Sequence, residues 1–234
     1  MKSAPTPQTT AASTGRPDDS KANRALASLS RGRDRMAQVV NTWLRRIPAW
    51  PLYVIGVLPP AWLLWAGFSG RLGFDPVKAM EHQMGEWGLW LLIAGLCVTP
   101  LRRYIGINLL RYRRALGLLT FFYIFCHLLI WLILDVQILS LIWEDILRRP
   151  YITVGMGAFA LMTPLAITSN NLSIRKMGRN WRRLHKLVYG AALLGALHYI
   201  LLAKGFQLPP FIYMGVIIAL LLLRLPKVAK RRSH

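Results

Sequence analysis

Six apolar runs, each near the length needed to cross a bilayer, dominate this chain of 234 residues. They fall at about 50–68, 84–101, 115–134, 150–168, 184–203 and 209–225. No other feature restricts the fold as strongly. In hydrocarbon every backbone N–H and C=O has to find a partner inside the protein, so runs of this length span as helices. The expected architecture is all-α: a polytopic membrane protein with six transmembrane helices in one bundle over residues 46–226, preceded by a basic arm at 1–45 and followed by a basic tail at 227–234. The first run contains Pro59-Pro60 and is expected to kink, which membrane helices tolerate where neighbours satisfy the freed carbonyls.

The basic residues set the orientation. The chain has 30 Lys+Arg against 9 Asp+Glu, a net charge of +21. In a soluble protein this balance would suggest nucleic acid. Here the positive charges lie between apolar runs, which fits positive-inside topology and an anionic leaflet better, and no nucleic-acid partner is expected. The N-terminal arm through Arg46, the 102–114 loop, the 175–186 stretch and the tail from Arg224 hold 25 of the 30. These four regions alternate with the runs, so both termini are expected to be cytoplasmic. Residues 1–45, polar and without an apolar run long enough for a signal-peptide core, read as a disordered arm whose charges touch lipid headgroups. The 135–149 stretch is too short and too charged to span and reads as an amphipathic helix on the outer surface. Cys97 and Cys126 belong to no C-x-x-C or C-x-x-C-H pattern and read as small buried hydrophobes.

Three histidines inside the apolar runs carry the chemistry. An ionisable side chain in hydrocarbon is costly and marks a functional site, and imidazole is a common haem ligand. His127 lies 12 residues into the third run and His198 14 into the fifth. At 1.5 Å per residue these depths are roughly 18 and 21 Å, on helices of the same direction. A haem held between two helices needs one imidazole on each at similar depth, and this pair meets that requirement. The competing reading is two unrelated polar contacts within the bundle. His185, 13 residues before His198, belongs near the cytoplasmic face, and on a straight helix the two do not share a side unless a bulge or bend realigns them. A second haem would need a partner near position 113 or 114, where Arg113 and Arg114 stand. His185 therefore has three readings: a second-haem ligand with an unusual partner or water, a hydrogen-bond donor to a haem propionate, or an ordinary interfacial residue. Gly190 and Gly195 give room for close packing or a porphyrin. His82, at the outer boundary before the second run, reads as solvated, with a quinol or partner contact as the functional option.

Several segments resemble a known family: GFDPVKAMEHQMGEWGLW, TPLRRY, RYRRALGLL, the His127 helix, RRPYITVG, AITSNN and above all MGRNWRRLHKLVYGAALLGALHYI. The chain resembles the haem-binding membrane subunit of the bacterial periplasmic methionine sulfoxide reductase system, the MsrQ or YedZ-like family, within the ferric-reductase-like transmembrane superfamily. The resemblance covers roughly residues 50–225. It implies b-type haem, one or two, with His127, His198 and His185 matching the family's histidines, and FMN as a further cofactor. It also implies a place in the inner membrane, electrons from the quinone pool or a flavin donor, and a separate periplasmic molybdopterin subunit of the MsrP type that reduces methionine sulfoxide in oxidised envelope proteins. The long N-terminal arm departs from the compact family pattern. No dinucleotide-binding G-x-G-x-x-G unit follows the sixth run, so the electron donor is expected to be separate.

On these grounds the chain is expected to be an electron-transfer subunit rather than the catalytic one, with bis-imidazole ligation leaving no open iron site. Two alternatives stand beside it. One is a stand-alone membrane ferric or metal reductase. The other is a non-redox membrane protein whose histidines pack or relay protons. The arginines of the 102–114 and 175–186 loops would suit an FMN phosphate, though topology alone already accounts for them.

Overall fold

The computed structural model describes Gly32 and residues 34–136, 146–203 and 205–224, and these are helical with short connections. Helix α1 occupies 34–46, followed by α2 (Trp50–Phe68), α3 (Pro76–Pro100) and α4 (Arg113–Leu129). After them come α5 (Pro150–Ile167), the short α6 (Asn171–Met177) and α7 (Arg179–Leu184), then α8 (Leu187–Leu202) and α9 (Leu208–Arg224). Two π-helical turns, Leu101–Ile105 and Ile130–Val136, extend α3 and α4. Among the described residues five helical stretches are long and apolar enough to cross a membrane, and the sixth apolar helix, α9, has 17 residues. At 1.5 Å per residue α9 measures about 26 Å, close to the hydrocarbon thickness.

Three expectations change. Helix α3 begins at Pro76 rather than near 84, because Asp75 accepts a hydrogen bond from the Lys78 N–H and Pro76 occupies the first helical position. His82, expected at the outer boundary before the second run, therefore lies within α3. The arm expected to be disordered through 45 is helical from 34, where Asn41 ties it to Gly106 and Asn108. Residues 1–31 and 137–145 lie outside the described residues, so the rest of the arm and most of the proposed outer amphipathic helix do too.

Four helices form the centre. The closest pairings are α3 with α4 and α5 with α8, and contact between these two pairs is sparser. Helix α2 packs on α3 and α4, burying Leu63 with Met80, Met84, Tyr123 and Ile130. Helix α9 packs on α3 and α8, where Ile217 joins Leu89, Leu92, Leu96, Ala192 and Ala196. Trp50, Val54, Ile55, Leu58, Trp62 and Trp65 of α2 face outward, an apolar surface that suits lipid.

Prolines inside these helices free carbonyls, and for Pro60 and Pro100 a neighbouring helix supplies the missing donor. Pro60 has no N–H for the Gly56 carbonyl, and the Tyr123 hydroxyl of α4 donates to it at 2.8 Å. Pro100 leaves the Leu96 carbonyl in the same position, and Arg224 of α9 donates to it at 2.7 and 3.2 Å. Tyr123→Phe should therefore lower stability by about 1–3 kcal/mol, the cost of a buried unsatisfied carbonyl. In a Pro60→Ala background the loss should shrink, because the alanine N–H restores the helical donor. Unfolding in detergent measures both, and an equal loss in the two backgrounds would show that the hydroxyl does not replace the proline's missing N–H.

Candidate functional site

A cavity of about 670 Å³ lies between the two helix pairs. Its length is walled by apolar side chains, among them Leu89 and Leu92 of α3, Ile124 of α4, and Phe159 and Met162 of α5. Its rim is polar. Lys78 there bridges Asp135 at 2.7 Å and Glu81 at 3.1 Å, beside His82, Arg149 and Gln207. A space of this size and lining suits a large, mostly apolar ligand with one polar edge.

His127 from α4 and His198 from α8 enter this cavity from opposite pairs. Their ring centroids are 6.2 Å apart and the rings are nearly perpendicular, at 81°. A metal–imidazole bond of about 2.0–2.1 Å on each side, plus about 1.1 Å from nitrogen to ring centre, puts two rings ligating one metal about 6.2–6.4 Å apart. The observed separation falls within the range for two imidazoles sharing one metal.

Each ring is held in the same way. His127 Nδ1–H donates to the Glu81 carbonyl of α3 at 2.8 Å, and His198 Nδ1–H to the Tyr151 carbonyl of α5 at 2.6 Å. A carbonyl only accepts, so the proton sits on Nδ1, and in the neutral ring Nε2 keeps a lone pair. This is the tautomer a metal-ligating histidine adopts when its other nitrogen is tied to the backbone. Four residues beyond each accepting carbonyl stands a glycine. A Cβ on Gly85 would lie 3.2 Å from His127 Nδ1, and one on Gly155 would lie 2.7 Å from His198 Nδ1. The Nδ1 edge of each ring thus lies against bare backbone, which is how it comes within reach of the carbonyl.

His185 is not brought to this pair. It sits in the turn between α7 and α8, outside the cavity lining, six residues before Ala191, or about 9 Å at 1.5 Å per residue. Trp181 stacks on its ring at 4.0 Å and 29°. Its Nε2 is 3.1 Å from the Thr168 hydroxyl, which donates its own proton to the Pro164 carbonyl at 2.6 Å. The hydroxyl therefore accepts from Nε2–H, and that nitrogen carries no free lone pair. The helix does break at His185, as a realignment with His198 would require, yet the break does not turn the ring into the cavity. His82 is exposed on the rim. Gly195 lines the cavity, while Gly190 packs against Leu161. Among the described residues no group of three or more His, Cys, Asp or Glu is placed to hold a metal ion.

Residues that sequence reasoning missed are Glu81 and Tyr151, which act through their carbonyls, and Gly85 and Gly155. Nothing in the sequence pairs them with histidines 46 and 47 positions away. Glu86 also lines the cavity and accepts from the Tyr213 hydroxyl of α9 at 2.9 Å, which in turn accepts from Trp90 Nε1–H at 2.7 Å.

Comparison with known proteins adds the following. Residues 60–196 match the family described as ferric reductase like transmembrane component, a stretch that includes His127 and His185 and stops two residues short of His198. The chain is 51% identical over 177 residues to the protein-methionine-sulfoxide reductase heme-binding subunit MsrQ of Brucella anthropi, covering 75% of this chain and 80% of that one. It is likewise 51% identical over 179 residues to the subunit of the same name from Brucella ovis, covering 76% and 81%. No solved structure matches it.

The two glycine contacts differ in a measurable way. Gly→Ala in a helix normally stabilises by about 0.5–1 kcal/mol, whereas overpacking costs about 1–3 kcal/mol. Gly85→Ala should come out near neutral, because the His127 ring has only a few tenths of an ångström to yield. Gly155→Ala should be net destabilising by about 1–2 kcal/mol, since at 2.7 Å the ring or the helix has to move. Thermal midpoints in detergent give the ranking, and the reverse order would contradict the geometry.

Proposed function

Because the chain belongs to the ferric-reductase-like transmembrane family and, within it, to the heme-binding MsrQ subunits, we propose that it is the b-type cytochrome membrane subunit of a methionine sulfoxide reductase system. In this reading it accepts electrons from the respiratory quinone pool, or from a flavin donor, and passes them to a periplasmic molybdopterin subunit that repairs oxidised envelope proteins. The single observation that carries it is the facing of His127 and His198 across the cavity at 6.2 Å.

The residues present fit a haem. Two neutral imidazoles with Nε2 lone pairs stand at ligand spacing, and the apolar walls suit a porphyrin face. When bound, a bis-histidine haem supplies reversible one-electron chemistry with no open coordination position. The chain's own residues orient it. The Glu81 and Tyr151 carbonyls fix tautomer and ring direction and raise the basicity of the ligating nitrogens. In this reading the apolar walls would keep water from the haem faces, and the edge that delivers electrons would lie toward the polar rim.

We assign one haem to this pair and leave His185 as the residue on which any second haem would rest. The cavity beside the basic 106–112 loop, about 150 Å³, is smaller than the roughly 300–1,000 Å³ typical of cofactor sites. FMN stays in this reading as the further cofactor that the resemblance implies, with the arginines of the 102–114 and 175–186 loops as its phosphate contacts. The topology that goes with it has six spans and both termini cytoplasmic in the inner membrane.

Three experiments test this reading. Reduced-minus-oxidised spectra of the purified protein should show a low-spin b-type signal that His127→Ala and His198→Ala each abolish and His185→Ala retains. A low-spin signal surviving in both of the first two variants would refute the pairing, and rapid reduction of chelated ferric iron without a partner would favour a stand-alone metal reductase. A periplasm-active reporter fused after Gly205 should be active, and one fused after Arg224 inactive. Activity at both positions would mean that α9 does not span.

A further inference from the structure

Helix α1 presents three distinct faces. The first docks on the bundle through Ala37, Asn41 and Leu44, with Ala37 buried. Asn41 clasps the 106–108 loop in both directions: its Nδ2 donates to the Gly106 carbonyl at 2.9 Å, and its Oδ1 accepts from the Asn108 N–H at 2.8 Å. Gly106 makes this turn with a φ of +84°. The last carbonyls of a helix lack internal donors, and here the residues that precede α4 supply them. Arg111 donates to the Arg45 carbonyl at 2.8 Å, and the Tyr112 hydroxyl lies 2.8 Å from the carbonyls of both Leu44 and Ile47. The helix is thus tied to the loop that leads into α4, the helix carrying His127.

The second face is apolar and exposed. Met36, Val39, Trp43 and Ile47 are 68%, 58%, 61% and 50% exposed, at the three- and four-residue spacing that makes one stripe. Pro48 and Ala49 lead from this stripe directly into α2, where Trp50, Val54, Ile55 and Leu58 are exposed as well. The third face is polar and cationic, with Arg35, Gln38, Thr42, Arg45 and Arg46 all exposed. The Arg46 guanidinium lies 5.5 Å from the Trp43 ring, at the seam between the apolar and cationic faces.

We propose that α1 is an interfacial helix that binds the anionic phospholipid surface at the basic end of the bundle. Met36, Val39, Trp43 and Ile47 enter the acyl boundary, and Arg35, Arg45 and Arg46 meet the headgroup phosphates. Two observations select lipid over a protein partner: only Pro48 and Ala49 separate the stripe from α2, whose exposed apolar side suits lipid, and its flanking charges match an anionic leaflet. The inference rests on the membrane reading of the bundle and is independent of haem.

The test uses the full-length protein with Cys97 and Cys126 replaced by Ala, in nanodiscs of phosphatidylcholine alone or with added phosphatidylglycerol. Spin labels go at Val39→Cys, Gln38→Cys and, as a reference on α2, Leu58→Cys. The label at 39 should be reached by oxygen and shielded from an aqueous nickel chelate severalfold more than the label at 38. Added phosphatidylglycerol should deepen the shielding, and combined Arg35→Gln, Arg45→Gln and Arg46→Gln should remove that lipid dependence. Equal nickel access at 38 and 39 would overturn the proposal, as would shielding of 39 from both reagents, which would mean cover by protein. Nickel access at Leu58→Cys would overturn the membrane reading beneath it. Loss of the haem spectrum with position 39 still shielded would count against the proposed function and leave this inference standing.

Discussion

The structure depends on side chains that reach across a helix contact to a main-chain carbonyl. Among these ties are Tyr123 to Gly56, Arg224 to Leu96, His127 to Glu81 and His198 to Tyr151. In an apolar medium a freed donor or acceptor costs several kcal/mol, because no water replaces the lost partner. A helical carbonyl has a second lone pair even when its own ladder bond is intact, so it accepts one more donor without loss. The first two ties repair what a proline removes. The other two use the spare lone pair to orient a histidine, which links the packing of the bundle directly to its chemistry.

The arrangement of the four central helices follows from this. The α3–α4 and α5–α8 pairs are each closed by one histidine tie, and the rings emerge on the facing sides of the two pairs. The cavity lies where the pairs stay apart, so a ligand bridging the two imidazoles would also join the two halves of the bundle. Helices α2 and α9 brace this core from outside, one through Tyr123 and the other through Arg224 and the Glu86–Tyr213–Trp90 chain. Helix α1 extends the bracing to the membrane surface, since Tyr112, one residue before α4, closes its C-terminus.

Much of the candidate site was legible because the helical rise converts residue number into depth. His127 and His198 could be placed at one level before any contact was known. Direction around the helix axis is less secure, and it depends on breaks such as the turn at His185, which no periodicity announces. The start of α3 was hidden because Asp75, Lys78 and Glu81 read as loop residues, although Asp75 and Pro76 form a standard helix start. The order in α1 was hidden for a similar reason. Its docking face is narrow, with Asn41 rather than a large apolar residue at its centre, so the local sequence reads as a polar arm.

By itself the sequence determined that the chain forms membrane-spanning helices, which end carries the positive charge, and that two histidines share a depth. Hydropathy, charge and rise per residue are local quantities, readable one segment at a time. Only the tertiary structure decided which two histidines meet, which nitrogen of each is free, and that Gly85 and Gly155 make the approach possible. Those outcomes depend on the rotation and separation of neighbouring helices, and these are set by contacts between residues far apart in the chain.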